Sequence, residues 1–332
     1  MSARNVGNAG TASTSGKSIR IGISSCLLGQ RVRYDGGHKR DRFVTDVLET
    51  FVEWVPLCPE VELGLGIPRP TIRLERVAEG TTRLVMPSTG EDLTSRMKAW
   101  AEERVEVLSN LDLCGYILKK DSPSCGMERV NIYRLNQAPA RAGSGMFAEV
   151  LLRKAPDLPV EEEGRLKDPR LRENFVVRVF AMRRWKDMEA LGVTRARLLE
   201  FHARHVYLCM ARNQAGARRL ERVLGSAGTA VSDAALARAY MDGFTAVMGR
   251  PPSTRSHTNV LQHMAGYVSD DLDPADRSEL TAAIHEYRSG RLPLIVPLTL
   301  LRHHARRQER TCLQEQAYLF PHPHELMLLN HV

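Results

Sequence analysis

With 332 residues, 43% of them hydrophobic and 26% charged, the chain has an ordinary globular composition and room for two domains. A net charge of +8 and a pI near 9.3 favour an anionic partner, nucleic acid first. No apolar run approaches the roughly 20 residues of a membrane span. Six cysteines without an export-type leader point to reduced thiols in the cytoplasm rather than to a disulfide framework.

Residues 1–18 are small, polar and glycine-rich, and predict a disordered leader. The stretch "IRIGISS" (19–25) is β-branched and apolar, a strand that ends at Cys26. "FVTDVLETF" (43–51) has helical spacing, and "VEWVPL" (52–57) is extended and stops at Cys58-Pro59. "RLVMP" (83–87) is a further short strand, 92–111 an amphipathic helix, and "CGYILKK" (114–120) a strand running into "KKDSPSCG" (119–126). The alternation predicts an α/β N-terminal domain over 19–170 with a mostly parallel sheet. A proline- and charge-rich stretch at 153–170 reads as its edge.

From 171 to 332 the periodicity is helical throughout, which predicts an all-α C-terminal domain. One of its helices opens on Asp273-Pro274 and closes near Gly290, and the last is expected to run unbroken from "PLIVPLTLL" to "EQAYL". Residues 188–332 hold 17 arginines, no lysine and 10 of the 11 histidines. Arginine forks suit phosphates and base edges; a solvated helix surface gives the same composition.

Cys26, Cys58 and Cys125 each follow the carboxyl end of a predicted strand. In an open parallel sheet those ends share one edge, where ligands bind, so three thiols distant in sequence are expected to converge. Local C-x-x-C and zinc spacings are absent, so the alternative is that they are small buried hydrophobes. Cys114, Cys209 and Cys312 lie inside regular elements and are expected in the core. "RVRYDGGHKR" (31–40) pairs Asp35 with Gly36 and Gly37 beside Arg33 and Tyr34, a turn with open amides that fits a phosphate or base edge. Glu60 stands two residues past Cys58, where a carboxylate suits a general base beside a metal-bound substrate or a plain surface charge, and Arg69 follows in a proline-pinned loop suited to an anion. Lys119 and Lys120 sit at a strand end, facing either solvent or an incoming anion.

The blocks "SSCLLGQRVRYDGG", "PLCPEVELGLGIPRP" and "GYILKKDSPSCG" resemble the three signatures of the thiouracil desulfidase family. The second half resembles the helical domain fused to that family in bacteria. The resemblance implies a [4Fe-4S] cluster on three cysteines with one open iron, and Cys26, Cys58 and Cys125 occupy the ligand positions. It places Glu60 and Ser122 as catalytic residues, with Ser124 adjacent in the same turn. Where short members follow C-P-E with glycine-glycine-leucine-proline-threonine, this chain has "LGLGIPRP". The implied substrate is 4-thiouridine in tRNA, held by basic helices. Arg302, Arg306 and Arg310 would form one stripe at i, i+4, i+8, with Arg204, Arg212 and Arg219 earlier. Arg33, Tyr34, Asp35, Gly36, Arg69 and Lys120 would meet the substrate. The alternatives are a desulfidase of free thiouracil or its nucleotides, a zinc-stabilised RNA-binding protein, and a cysteine nucleophile served by His38, the one histidine of the first domain.

Overall fold

A computed structural model describes residues 18–77, 81–134, 137–226 and 231–330; the expected leader falls outside them except for its last residue. The N-terminal half is built on a parallel four-stranded sheet of order β2-β1-β6-β9, comprising β1 (Ile19–Ser24), β2 (Val52–Leu57), β6 (Leu113–Leu118) and β9 (Val160–Glu162). Strands β1 and β6 are almost wholly buried, which is why they read as continuous apolar runs rather than as alternating ones. Beside it lies a five-stranded mixed sheet of order β5-β4-β3-β7-β8, made of β3 (Arg73–Arg76), β4 (Thr82–Met86), β5 (Glu91–Asp92), β7 (Val130–Arg134) and β8 (Gln137–Gly143). Of this second sheet the sequence announces only β4.

The helix α2 (Thr94–Ser109) turns Met97, Ala101, Val105 and Leu108 inward, an i, i+4 stripe that packs on α3 (Met146–Lys154). The expected helix at 43–51 is a single wide turn, Phe43–Leu48.

The second half holds α4 (Pro169–Ala190), α5 (Arg195–Arg212), α6 (Gln214–Ser226), α7 (Asp233–Met248), α8 (Thr254–Ser269), α9 (Pro274–Arg288), α10 (Ile295–Arg307) and the one-turn α11 (Thr311–Gln314). Most open on a side-chain cap. Asp168 accepts from the amides of Arg170 and Leu171, Asp273 from those of Ala275 and Asp276, and Ser253 forms a reciprocal box with Ser256. The expected unbroken last helix is corrected. It stops at Arg307, Glu309 takes φ +53°, and the chain folds back so that Ala317 N–H donates to the Arg204 carbonyl.

Helix α4 joins the halves. Phe175, Val176, Val179 and Phe180 share one core cluster with Ile21, Ile23, Cys114 and Ile117 of the parallel sheet. Gly115 permits the approach, because a Cβ there would come within 2.7 Å of Val179 Cγ2. The composition change at 170 therefore falls inside a helix that covers the sheet.

Candidate active site

The carboxyl ends of β2, β1 and β6 lie side by side in the sheet, and each delivers a cysteine. Cys26 stands on a one-turn helix, Ser25–Leu28, directly after β1. Cys58 closes β2 and is the residue before α1 (Pro59–Glu62), where its carbonyl accepts from Glu62 N–H at 3.0 Å. Cys125 follows β6 by a tight turn. All three line one cavity of about 650 Å³. The convergence expected from strand ends is what the structure shows.

The turn before Cys125 is over-determined. Ser122 Oγ accepts from the amides of Ser124 at 3.2 Å and Cys125 at 3.0 Å, and the Ser122 carbonyl accepts from Gly126 N–H at 2.8 Å. The first amides of α3 close on the same segment, Met146 to the Pro123 carbonyl and Phe147 and Ala148 to that of Ser124. Gly145 packs so near that a Cβ would lie 2.4 Å from the Ser124 carbonyl carbon. Because Ser122 Oγ is occupied as an acceptor, its own O–H remains for donation, and Ser122 lines the cavity. Ser124 is fully buried and is not among the lining residues. Of the two expected serines, only Ser122 faces the site.

Glu60 is nearly buried and lies across the cavity. Its Oε2 accepts from Cys58 Sγ at 3.3 Å and stands 3.8 Å from Arg69 Nη2. Arg69 also donates to the carbonyls of Val32 and Gly66, both at 3.0 Å, while its amide donates to the Tyr34 carbonyl at 2.9 Å. Arg69 lines the cavity as expected, and there it also orients Glu60 and staples two loops.

Arg33, Tyr34 and Lys120 line the cavity as expected, with Arg33 lying over the Tyr34 ring at 5.3 Å. Asp35 and Gly36 do not line it; Asp35 accepts from the Gly37 amide at 2.9 Å and Gly36 takes φ +72°, an exposed turn behind the wall. His38 is exposed, accepts from the Arg40 amide and does not line the cavity, so a cysteine nucleophile would lack its base there.

Burial pushes the Cys26 thiol up to about 11, with the Lys119 charge opposing and Glu60 adding to the rise. Burial, reinforced by Glu60, takes Cys58 up to about 12 and raises Cys125 well above its ordinary value. Unliganded, these are neutral thiols at pH 7 and poor nucleophiles. As ligands they must shed protons, so loading a metal centre releases them. Among the described residues no three cysteine, histidine or acidic side chains are close enough together to hold a single metal ion. Three soft donors spread around a hollow fit a multi-iron cluster better than one ion.

Several site residues escaped the sequence reading. Ser24 Oγ accepts from the Lys119 amide at 3.0 Å and hydrogen-bonds Cys125. Glu163 ties down Lys119 and Lys120, while Lys39, Arg40, Asp41 and Lys167 complete the wall. Within the charged stretch 153–170, the three glutamates after Val160 are all buried.

The arginines of the helical half divide. Arg302 is buried, donates to the Leu319 carbonyl and lies 5.0 Å over the Phe320 ring; Arg212 is buried and donates to the Leu208 carbonyl. Arg310 lies beyond the end of α10 and pairs with Asp271. The single stripe through Arg302, Arg306 and Arg310 is therefore not formed. Arg204, on α5 and paired with Glu200 and Glu315, Arg219, on α6, and Arg306 are exposed. Cys114 and Cys209 are buried as expected, whereas Cys312 is exposed on α11. No helix among the described residues is long and apolar enough to cross a membrane.

The family profile described as 2-thiouracil desulfurase matches residues 21–163, and one described as a protein of unknown function, DUF1722, matches residues 207–323. The chain is 28% identical over 149 residues to the uncharacterized protein YbgA of Escherichia coli (strain K12), covering 45% of this chain and 88% of that protein. It is 32% identical over 109 residues to the uncharacterized protein YbbK of Bacillus subtilis (strain 168), covering 31% of this chain and 71% of that protein. Among solved structures it is similar to one titled [4Fe-4S]-dependent thiouracil desulfidase TudS, at 33% identity over 45% of this chain and 94% of that one, with a TM-score of 0.38.

Proposed function

Since the chain belongs to the 2-thiouracil desulfurase family, we propose that it is an iron–sulfur-dependent desulfidase that converts 4-thiouridine in tRNA to uridine and hydrogen sulfide in the cytoplasm. The observation that carries this reading is the meeting of Cys26, Cys58, Cys125, Glu60 and Ser122 on one cavity. The three cysteines would hold a [4Fe-4S] cluster, which supplies an open iron as a soft Lewis acid for the thiocarbonyl sulfur.

The protein's own groups do the rest. Glu60, oriented by Arg69, takes a proton from the water that adds to the ring carbon. Ser122 donates its free O–H to the sulfur or to the incoming oxygen. The balance is C=S plus water giving C=O plus H2S, with no net electron transfer. The Glu60 carboxylate sits beside the Cys58 sulfur, within reach of anything bound at the trio.

The preference for tRNA over a free thiobase is supported by the net charge of +8 and by the exposed Arg204, Arg219 and Arg306 of the fused helical half. A base inside folded RNA must be turned out to enter such a hollow. Nucleoside analysis of bulk tRNA incubated with anaerobically reconstituted protein tests the reading. 4-Thiouridine should disappear as uridine rises; turnover of free 4-thiouracil with tRNA left untouched would instead support the free-base alternative.

A further inference from the structure

Lys119 is the last residue before the turn of Ser122 and Cys125, and its side chain is only 14% exposed. An ammonium has three N–H groups. Lys119 Nζ donates one to Glu163 Oε1 and one to the Lys120 carbonyl at 3.0 Å. The third has no partner among the described residues. Lys119, Glu163, Cys26, Cys125 and Ser122 all line the same cavity. The other oxygen of Glu163 accepts from the Lys120 amide at 2.7 Å, so one carboxylate fixes both the ammonium and the start of the turn. At the far end Glu162 accepts from the Met127 amide at 2.7 Å. The end of β9 thus clamps the segment on both sides of Cys125.

We propose that Lys119 is a further catalytic residue of this site, a cation held in the cavity wall by Glu163 with one N–H left for the substrate. The role rests on the desulfidase reading above. Water adding to a thiocarbonyl carbon drives negative charge onto the sulfur and the ring. A fixed ammonium in a half-closed hollow offsets that charge without reorganising. No bond is made or broken at lysine. Glu163 is the positioning residue: it spends one N–H of the ammonium and sets the direction of the others. Lys120, by contrast, is half exposed and 3.7 Å from Asp121, so the two neighbouring lysines have different work.

The test compares wild type, Lys119→Met, Glu163→Gln and the double variant, all reconstituted anaerobically. Iron per chain, visible absorbance, melting temperature and kinetics are measured, with 4-thiouridine-containing tRNA and free 4-thiouracil as substrates. Glutamine keeps an oxygen for the Lys120 amide and removes only the charge that holds Lys119. Lys119→Met should lower kcat about 100-fold, in the range seen for removal of a transition-state donor, with KM within about threefold, and with iron content and melting temperature unchanged. Glu163→Gln should lower kcat about 10-fold, and the double variant should be no slower than Lys119→Met, because both act through one ammonium. Wild-type kcat in Lys119→Met would overturn the role. So would loss of iron or of the melting transition in step with activity, or single effects that multiply in the double variant. A wild type that loads iron but turns over neither substrate would sink the desulfidase reading itself, and the lysine's role with it.

Discussion

In the α/β half, the buried Glu60, Ser24 and Glu163 and the half-buried Lys119 all stand around one hollow. In the helical half, several buried imidazoles and guanidinium groups brace the fold from within. His202 meets the Tyr240 hydroxyl at 3.0 Å, His257 that of Tyr318 at 2.8 Å, and Arg184 donates to the Phe320 and Pro321 carbonyls. Both halves are rich in residues associated with chemistry and RNA, yet the hollow lined by cysteines and buried carboxylates lies in the α/β half. Residue type alone does not separate a site from a brace. The separating fact is where each side chain stands, around a cysteine-lined hollow or packed between helices.

Removing a thiol tests the comparison hardest. Cys58→Ala should abolish iron loading and turnover while the circular dichroism spectrum stays native, since a half-buried thiol at a strand end contributes little to the core. Retained iron would deny the trio its role. Glu60→Gln comes next: turnover should fall 10²–10⁴-fold, roughly the worth of a general base, with iron–sulfur absorbance intact.

The braces are tested by acid. Burial lowers His205 to about 3 and His322 to about 4, against an ordinary value of 6.5. The unfolded chain therefore binds more protons below pH 6.5, and stability present above that pH is lost as pH falls toward 4. A melting temperature that declines over this window, and less steeply in His322→Phe, is the expected outcome. The smallest effect separates two arginines one helical turn apart. Arg302→Ala should cost about 2–3 kcal/mol, because it leaves the Leu319 carbonyl unpaired. Arg306→Ala should leave stability unmoved and reduce the salt dependence of tRNA binding by about one phosphate contact.

The strand ends of the parallel sheet were legible because central buried strands are written as short apolar runs, and the cysteines sit where those runs stop. The second sheet was not. Arg73–Arg76 is mostly charged and half-buried, Gln137–Gly143 is largely exposed, and neither has an apolar run; β3 pairs with β7, distant in sequence. Glu163 was missed for the same reason: a glutamate run looks solvated until β9 slots beside β6 and carries it inward. Arg302 misled in the opposite direction. Its spacing to Arg306 is that of an exposed stripe, but the returning tail at Leu319 and Phe320 closes over it. Periodicity reports a helix's own geometry and is silent about what lies against it.

The packing of α4 has a practical corollary for anyone who wishes to express the two halves separately. A clone ended at the change of composition near 170 would discard Phe175, Val176, Val179 and Phe180, and would leave Ile21, Ile23 and Ile117 facing water. The fragment that begins there would carry the same four residues as an uncovered sticky stripe. Both products should aggregate, and a cut after Ala190 keeps the sheet covered but bares Trp185, which packs on Phe201 and Tyr240 of the helical half. Helix α4, in other words, is a beam common to both halves, and removing it from either leaves an apolar face bare.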